Sequence, residues 1–499
     1  MAHDFGAAAE WVLVALVILA AGPQLAGSWQ FLLVAVHFRR NHYAECQPYF
    51  PRTAILIPAW NEAAVVGNSI DHLMSLDYPE EALRIFVVDD ASTDATPEVV
   101  AAKAARYSGR VVHLRRERGG EGKAHTLNHG LSVILGDDWM QALLIMDADV
   151  VYERDTLRKM TRHLADRNVG AVTAYIKEGS RPGNYLTRFI GYEYITAQTA
   201  ARRSQNVIGA IACLAGGAQL HSRANLVLLG GRVDTSSLAE DTFTTFNTQI
   251  AGHRVVFEPH ATVWAEEPST IVGLWKQRMR WARGNFQVTV RFRRLWFHRS
   301  KGHHLGGINF GVFWFCVFLL PFFMITASAS LVTLYFINFP LAWRTFHVLW
   351  ITNAATYLFI TTFSLLIDPA TGRRVWREAV LFPGLVNLAV IVYTCFPRLC
   401  RWATRDLFRL LQVVPTPLYA HSVILLIYVW LAVSMAAAYL AKLAEPHKFG
   451  KIISPALVYV AGYGPLLCAC TFSAYVKELR KAEMKWDKTE KTGKAATPV

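Results

Sequence analysis

The chain has 499 residues, 53% of them hydrophobic, and a formal net charge of +14. That length holds more than one structural unit, and apolar residues crowd the start and the C-terminal part, which excludes a simple soluble globule. Much of the positive excess flanks apolar runs, at Arg39–Arg40, at Arg291, Arg293 and Arg294, at Arg373, Arg374 and Arg377, and at Arg401, Arg405 and Arg409. Basic residues are retained on the cytosolic side of membrane spans, so the charge argues for a lipid bilayer and against nucleic acid as the partner. The seven cysteines follow neither zinc-site nor disulfide-framework spacing, as expected of thiols facing a reducing compartment.

Trp11–Phe38 is an apolar run interrupted at Gly22–Pro23. It is too long for a signal-peptide core and fits one tilted membrane helix better than two short passes, with Arg39 and Arg40 placing its end in the cytosol. From Thr53 to Arg294 the composition is that of an ordinary α/β protein. Strands are predicted at Thr53–Pro58, Ile85–Val88, Val111–Leu114, Ala142–Met146 and Val169–Thr173, with helices between them, including Pro97–Arg106. Alternation of this kind predicts a doubly wound, mostly parallel sheet, whose ligands sit beyond the carboxyl ends of the strands. Tyr185–Arg202 and Pro268–Leu295 mix aromatic, aliphatic and basic residues and read as helices at a membrane surface.

Further apolar runs cover Gly307–Phe336, Phe346–Ile367, Val380–Phe396, Val423–Leu443 and Ile453–Val476. Basic residues flank Val380–Phe396 on both sides, which one crossing cannot satisfy. Either that run is re-entrant or Arg401–Leu411 lies as an amphipathic helix on the membrane. The expected organisation is an N-terminal membrane helix and linker (1–50), a cytosolic α/β domain with interface helices (51–300), a C-terminal α-helical transmembrane region (301–476) and a basic cytosolic tail (477–499).

Four motifs carry chemistry. Ile85–Val88 runs into Asp89-Asp90; a carboxylate there can accept hydrogen bonds from a base or ribose, or cap a helix. Leu144-Ile-Met-Asp147-Ala-Asp149 again ends a strand in carboxylates, and two in a tight turn suit a hard divalent cation, Mg²⁺ or Mn²⁺, that bridges to phosphates. Glu240-Asp241 offers a general base for an acceptor hydroxyl, or an acidic helix start. Gln277-x-x-Arg280-Trp281 sets Gln277, Arg280 and Trp281 on one side of a helix. Arg280 can pair with diphosphate oxygens, and Trp281 offers a face for a sugar ring.

In this order the four motifs resemble the D, DxD, (E/D)D, QxxRW signature of family 2 glycosyltransferases. More narrowly they resemble the processive membrane synthases of cellulose, hyaluronan, chitin, poly-N-acetylglucosamine and curdlan. The resemblance spans Thr53–Phe297. It implies a GT-A fold and an inverting, metal-dependent transfer from UDP-glucose or UDP-N-acetylglucosamine to a growing polysaccharide exported across the cell membrane. The catalytic domain would be cytoplasmic, and accessory subunits are compatible with it. It further implies that Pro58, Asn61, Glu62 and Asp89 surround the nucleoside and that Lys123 approaches the nucleotide. Asp149 with Asp147 would hold the metal and diphosphate, and Asp241, beside Glu240, would be the base. Gln277, Arg280 and Trp281 would roof the site, with Gly216, Gly217 and Trp281 toward the acceptor. The cellulose branch carries a cysteine in that glycine loop; Cys213 is offset from the position, and no role is transferred to it. Glycolipid synthases similar to ceramide glucosyltransferase share a comparable motif set. A transporter or channel with a regulatory soluble domain is the reading the motifs disfavour.

Overall fold

The structure is a computed structural model that describes residues 2–39, 45–298, 300, 302–400 and 417–483. Arg40, the Arg401–Leu411 stretch and the tail beyond residue 483 lie outside the described residues. The chain divides into two compact units, Leu32–Gly311 with Ala482–Val499, and Met1–Phe31 with Val312–Lys481.

The first unit is built on an eight-stranded sheet in the order β3-β2-β1-β4-β7-β6-β8-β5. Its strands are β1 (Thr53–Ala59), β2 (Leu83–Asp89), β3 (Val111–Arg115), β4 (Ala142–Ile145), β5 (Val150–Tyr152), β6 (Val169–Glu178), β7 (Gln219–Ser222) and β8 (Arg254–Ala265). β3, β2, β1 and β4 run parallel, as do β6 and β8. β7 pairs antiparallel with both β4 and β6, and β5 with β8. The sheet is therefore mixed, with four parallel pairs. The apolar runs of β1 and β4 are buried along their length, as strands covered on both faces require. Ala54, Leu56, Val88, Leu143 and Ile145 pack with Leu127, Leu131 and Ile134 of the helix Lys123–Ile134. In the parallel half, β1, β2 and β4 all end on the same side, and their next residues include Asn61, Asp90 and Asp147. The carboxylate motifs thus share one edge of the sheet.

Sequence periodicity finds β1 to β4 and the first half of β6, and misses β5, β7 and β8. β5 has only three residues. β8 contains Glu258-Pro259, and its ladder to β6 jumps from Ala174↔Glu258 to Tyr175↔Thr262. Proline donates no ladder hydrogen bond, so an interior Pro reads as a strand break.

The second unit is helical. Among the described residues, four helices are long and apolar enough to cross a membrane: Ala7–Arg39, Leu320–Ile337, Phe339–Ile367 and His421–Ala444. The first is locally broken at Ala20–Ala21. Val14 and Val17 pack with Leu331, Leu334, Phe346, Trp350, Val390 and Tyr428.

Among the described residues two helix pairs are sharply bent, Pro369–Leu381 with Leu385–Cys395 by 75°, and Gly450–Ala461 with Tyr463–Leu479 by 97°. The first bend falls in the doubly basic-flanked run and has the form of a broken or re-entrant span. The second is not anticipated by the sequence.

The two bends dock on one another. Gly384 (φ 91°, ψ 155°) and Gly462 (φ 105°, ψ 148°) occupy a region essentially restricted to glycine. A Cβ on Gly462 would lie 2.4 Å from the Pro383 carbonyl oxygen, and one on Gly384 2.6 Å from the Gly462 nitrogen. The Tyr463 N–H donates to the Phe382 carbonyl across the same contact (3.0 Å). Gly462→Ala is expected to cost at least about 1–3 kcal/mol from backbone strain alone. An unchanged thermal midpoint in detergent would remove the crossing as a stabilising contact.

Candidate active site

Asp89 closes β2 fully buried. Its Oδ1 accepts the Ser92 N–H (2.8 Å). Its Oδ2 lies 3.5 Å from Arg115 Nε and 3.9 Å from His113 Nε2, and among the described residues it has no hydrogen-bond partner. Burial holds His113 below the ordinary histidine range, and the Asp89 charge only partly offsets it. Residues after Pro58 stitch this edge together. Asn61 adopts φ 54°, which Asn tolerates better than most residues. It donates its N–H to Ser92 Oγ (2.9 Å) and accepts the Thr93 N–H on Oδ1 (2.8 Å). The Glu62 N–H donates to Thr96 Oγ1 (2.8 Å). The side chain of Asn61 therefore braces the loop that carries Asp89.

Asp90 pairs with Arg116 and accepts the Gly120 N–H (3.1 Å). A Cβ on Gly119 would collide with the Asp90 carbonyl at 2.0 Å, so the glycine run folds directly onto the end of β2. Gly122, at φ 106°, turns the chain into the helix that begins at Lys123.

Lys123 joins two of the motifs to the Gly216 loop. Its Nζ lies 2.6 Å from Asp147 Oδ1, 3.6 Å from Glu240 Oε1 and 3.4 Å from the Gly216 carbonyl oxygen. Burial alone would lower its pKa, but Asp147 and Glu240 outweigh that and hold it above the ordinary lysine range. Burial raises the Glu240 carboxyl; Lys123 opposes the rise, Asp241 adds to it, and Arg280 also lowers it. Asp149, like Asp147, is half-buried.

Gly216 sits amid these charges. A Cβ there would lie 3.3 Å from Lys123 Nζ, 3.6 Å from Asp241 Oδ2 and 3.7 Å from Asp147 Oδ2. The DxD carboxylate and the Asp241 carboxylate thus converge on one small space beside a loop that presents no side chain. Tyr152 donates its hydroxyl to the Gly217 carbonyl (2.8 Å), and Leu214 donates its N–H to Thr245 Oγ1 (2.9 Å). These contacts fix the loop to β5 and to the helix Glu240–Ile250. Asp241 lies in that helix's first turn, where the dipole favours acidic side chains, and its Oδ1 accepts the Thr242 N–H (2.7 Å).

The Gln-Arg-Trp motif lies on the helix Ile271–Arg291. Gln277 donates to Glu267 Oε2 (3.0 Å) and accepts from Arg278 Nη1 (2.6 Å). Tyr194, at the start of a π-helical stretch Tyr194–Ala200, donates to Glu267 Oε1 (2.5 Å). Arg278 forks onto both oxygens of buried Glu193 (3.1 and 2.8 Å) and lies 4.1 Å from the Trp281 ring centroid. Trp281 is the exposed member, at 37%.

Sequence reading singled out Gln277, Arg280 and Trp281 and missed Arg278, Glu267, Glu193, Tyr194 and Arg116. Arg278 occupies a motif position left unspecified. The available signal was charge: Glu193 within an aromatic run and Glu266-Glu267 directly after a strand are costly to bury alone. Arg278→Ala is expected to destabilise by about 3–5 kcal/mol, because it strands a buried carboxylate. Arg278→Met with Glu193→Gln should recover much of that, and equal thermal midpoints for the single and double variants would remove the pair as the cause.

Residues 51–284 match the family model described as glycosyltransferase like family 2. The chain is 31% identical over 329 residues to the probable glycosyltransferase YdaM of Bacillus subtilis, covering 65% of this chain and 76% of that one. It is 29% identical over 239 residues to the poly-beta-1,6-N-acetyl-D-glucosamine synthase of Staphylococcus epidermidis, covering 48% of this chain and 55% of that one; it thus spans about half the length of that relative. The fold resembles that of mannosyltransferase PcManGT from Pyrobaculum calidifontis, solved with GDP-Man and Mn²⁺, with a TM-score of 0.51 and 23% identity over 74% of this chain and 99% of that one. With its ordered carboxylates on one sheet edge and its Gln-Arg-Trp helix, the chain belongs to glycosyltransferase family 2.

Proposed function

We propose that the protein is a processive, inverting synthase that transfers N-acetylglucosamine from its UDP-sugar to a growing β-linked polysaccharide and exports the polymer across the cell membrane. The observation that carries this reading is the convergence of Lys123, Asp147, Glu240 and Asp241 around Gly216. The relatives named as poly-beta-1,6-N-acetyl-D-glucosamine synthases favour N-acetylglucosamine over glucose. The candidate spans support a multi-pass protein whose catalytic domain (51–300) faces the cytosol, between the N-terminal helix and linker (1–50) and the membrane region (301–476), with a basic tail (477–499).

The proposed roles are these. Asp89 Oδ2, buried and without a hydrogen-bond partner among the described residues, suits a donor N–H of the uracil. Asp241 accepts the proton of the acceptor hydroxyl, whose oxygen attacks the anomeric carbon from the face opposite UDP. Arg280 and Lys123 bring positive charge to the departing diphosphate. Trp281 and the side-chain-free Gly216–Gly217 loop cradle the acceptor sugar.

Among the described residues no group of three His, Cys, Asp or Glu is placed to hold a metal. Two carboxylates, Asp147 and Asp149, are nevertheless what a Mg²⁺ or Mn²⁺ ion needs when substrate phosphates and water complete its shell. When bound, such an ion neutralises charge on the leaving diphosphate.

The test is UDP release by purified full-length protein over a panel of UDP-sugars, with and without EDTA, followed by glycosidase digestion of the product. Release confined to UDP-N-acetylglucosamine, lost with EDTA and yielding a long digestible polymer, is expected. UDP-glucose as sole donor would overturn the sugar assignment, and a single sugar on a lipid would overturn processivity.

A further inference from the structure

Cys46, His163 and Glu258 form a second cluster, composed of residues that the transfer reaction does not use. Cys46 is half-exposed, while His163 is 5% and Glu258 1% exposed. His163 Nδ1 lies 3.3 Å from Cys46 Sγ, and its Nε2 lies 2.7 Å from Glu258 Oε2. The other carboxylate oxygen accepts the His260 N–H (2.8 Å) and lies 2.9 Å from His260 Nδ1. The pieces come from the segment before β1, the turn after the helix Thr156–Thr161, and the interrupted β8. The Pro259 irregularity in that ladder lets Glu258 and His260 turn toward one another.

The order is that of nucleophile, base and orienting carboxylate. It is unsuited to a shared metal, because the two ring nitrogens of His163 address opposite neighbours. Burial pushes His163 down, but Cys46 and Glu258 more than reverse this, and it is pushed up to about 9. Burial likewise raises Glu258, while hydrogen bonds from His163 and His260 bring it down to about 2.

We propose that Cys46 is a nucleophilic thiol, activated by His163 and oriented through Glu258, that takes hydroperoxides as its substrate class. The reacting state is the thiolate–imidazolium pair, with the thiol proton already on His163, and the sulfur attacks the distal peroxide oxygen. The S–O bond forms as the O–O bond breaks. The electron pair leaves on the other oxygen, which collects the proton from His163. Sulfur is oxidised by two electrons to the sulfenic acid, and the hydroperoxide is reduced to water or an alcohol.

The experiment treats purified full-length protein in detergent with hydrogen peroxide at pH 7, traps sulfenic acid with a dimedone probe, and quantifies the Cys46 peptide by mass spectrometry. The same thiol in guanidinium-unfolded protein is the reference. Folding should accelerate trapping at Cys46 by at least about tenfold although it shields the sulfur. Glu258→Gln should remove most of that gain. Equal or slower trapping in the folded wild-type protein overturns the proposal, and that comparison needs no variant to fold.

Discussion

Asp241→Asn is expected to lower UDP release about a hundred- to ten-thousand-fold, the range for loss of a general base, while leaving Kd for UDP near its wild-type value. The amide oxygen can still accept the Thr242 N–H that Asp241 Oδ1 now accepts, so the helix start at Glu240 is retained. What is lost is proton affinity at the group that shares the Gly216 space with Asp147. Isothermal titration with UDP beside a coupled release assay separates the two quantities. Near-normal turnover would remove Asp241 as the base, and lost UDP affinity would recast it as a binding residue.

Lys123→Met has the second large consequence. The side chain is 9% exposed and sits against Asp147 and Glu240. Without the ammonium, the carboxylates Asp147, Glu240 and Asp241 face one another in a low-dielectric pocket. The expected cost is about 3–5 kcal/mol of stability, as for removal of one partner from a buried charge pair. Because Glu240 is already raised by burial and opposed by Lys123, Lys123→Met with Glu240→Gln should recover part of the loss without restoring transfer. Thermal unfolding of the single and double variants decides it: additive losses would mean that Lys123 does not compensate Glu240.

The parallel half of the sheet is legible in the sequence because β1, β2 and β4 are short, mostly apolar and end in polar turns. The antiparallel half is not, since β7 alternates weakly over four residues and β8 is broken by Glu258-Pro259. Spacing alone marks Asp89, Asp147, Asp149 and Asp241 as separate weak signals. It does not say that Lys123 reaches across to Asp147 and Glu240, a contact set by the Gly119–Gly122 turn docking on Asp90. Nor does it distinguish Asn61 as a brace for the Asp89 loop from Asn61 as a ligand contact. Arg278 escapes notice for a related reason: its role depends on Glu193, which lies 85 residues away along the chain.

The Gly384–Gly462 crossing has a consequence for how the protein is made. Residues 385–461 separate the two glycines, so the first bent pair emerges from the ribosome before the partner of its tip has been made. Its Phe382 carbonyl finds the Tyr463 N–H only after the second pair has followed. Until then that carbonyl lacks the backbone donor that closes the crossing, and a polar group buried without a hydrogen bond destabilises the unit. Assembly of the helical unit is thus completed from its C-terminal end. A chain truncated before Gly462 would hold every helix of the first pair and still lack the partner that closes it.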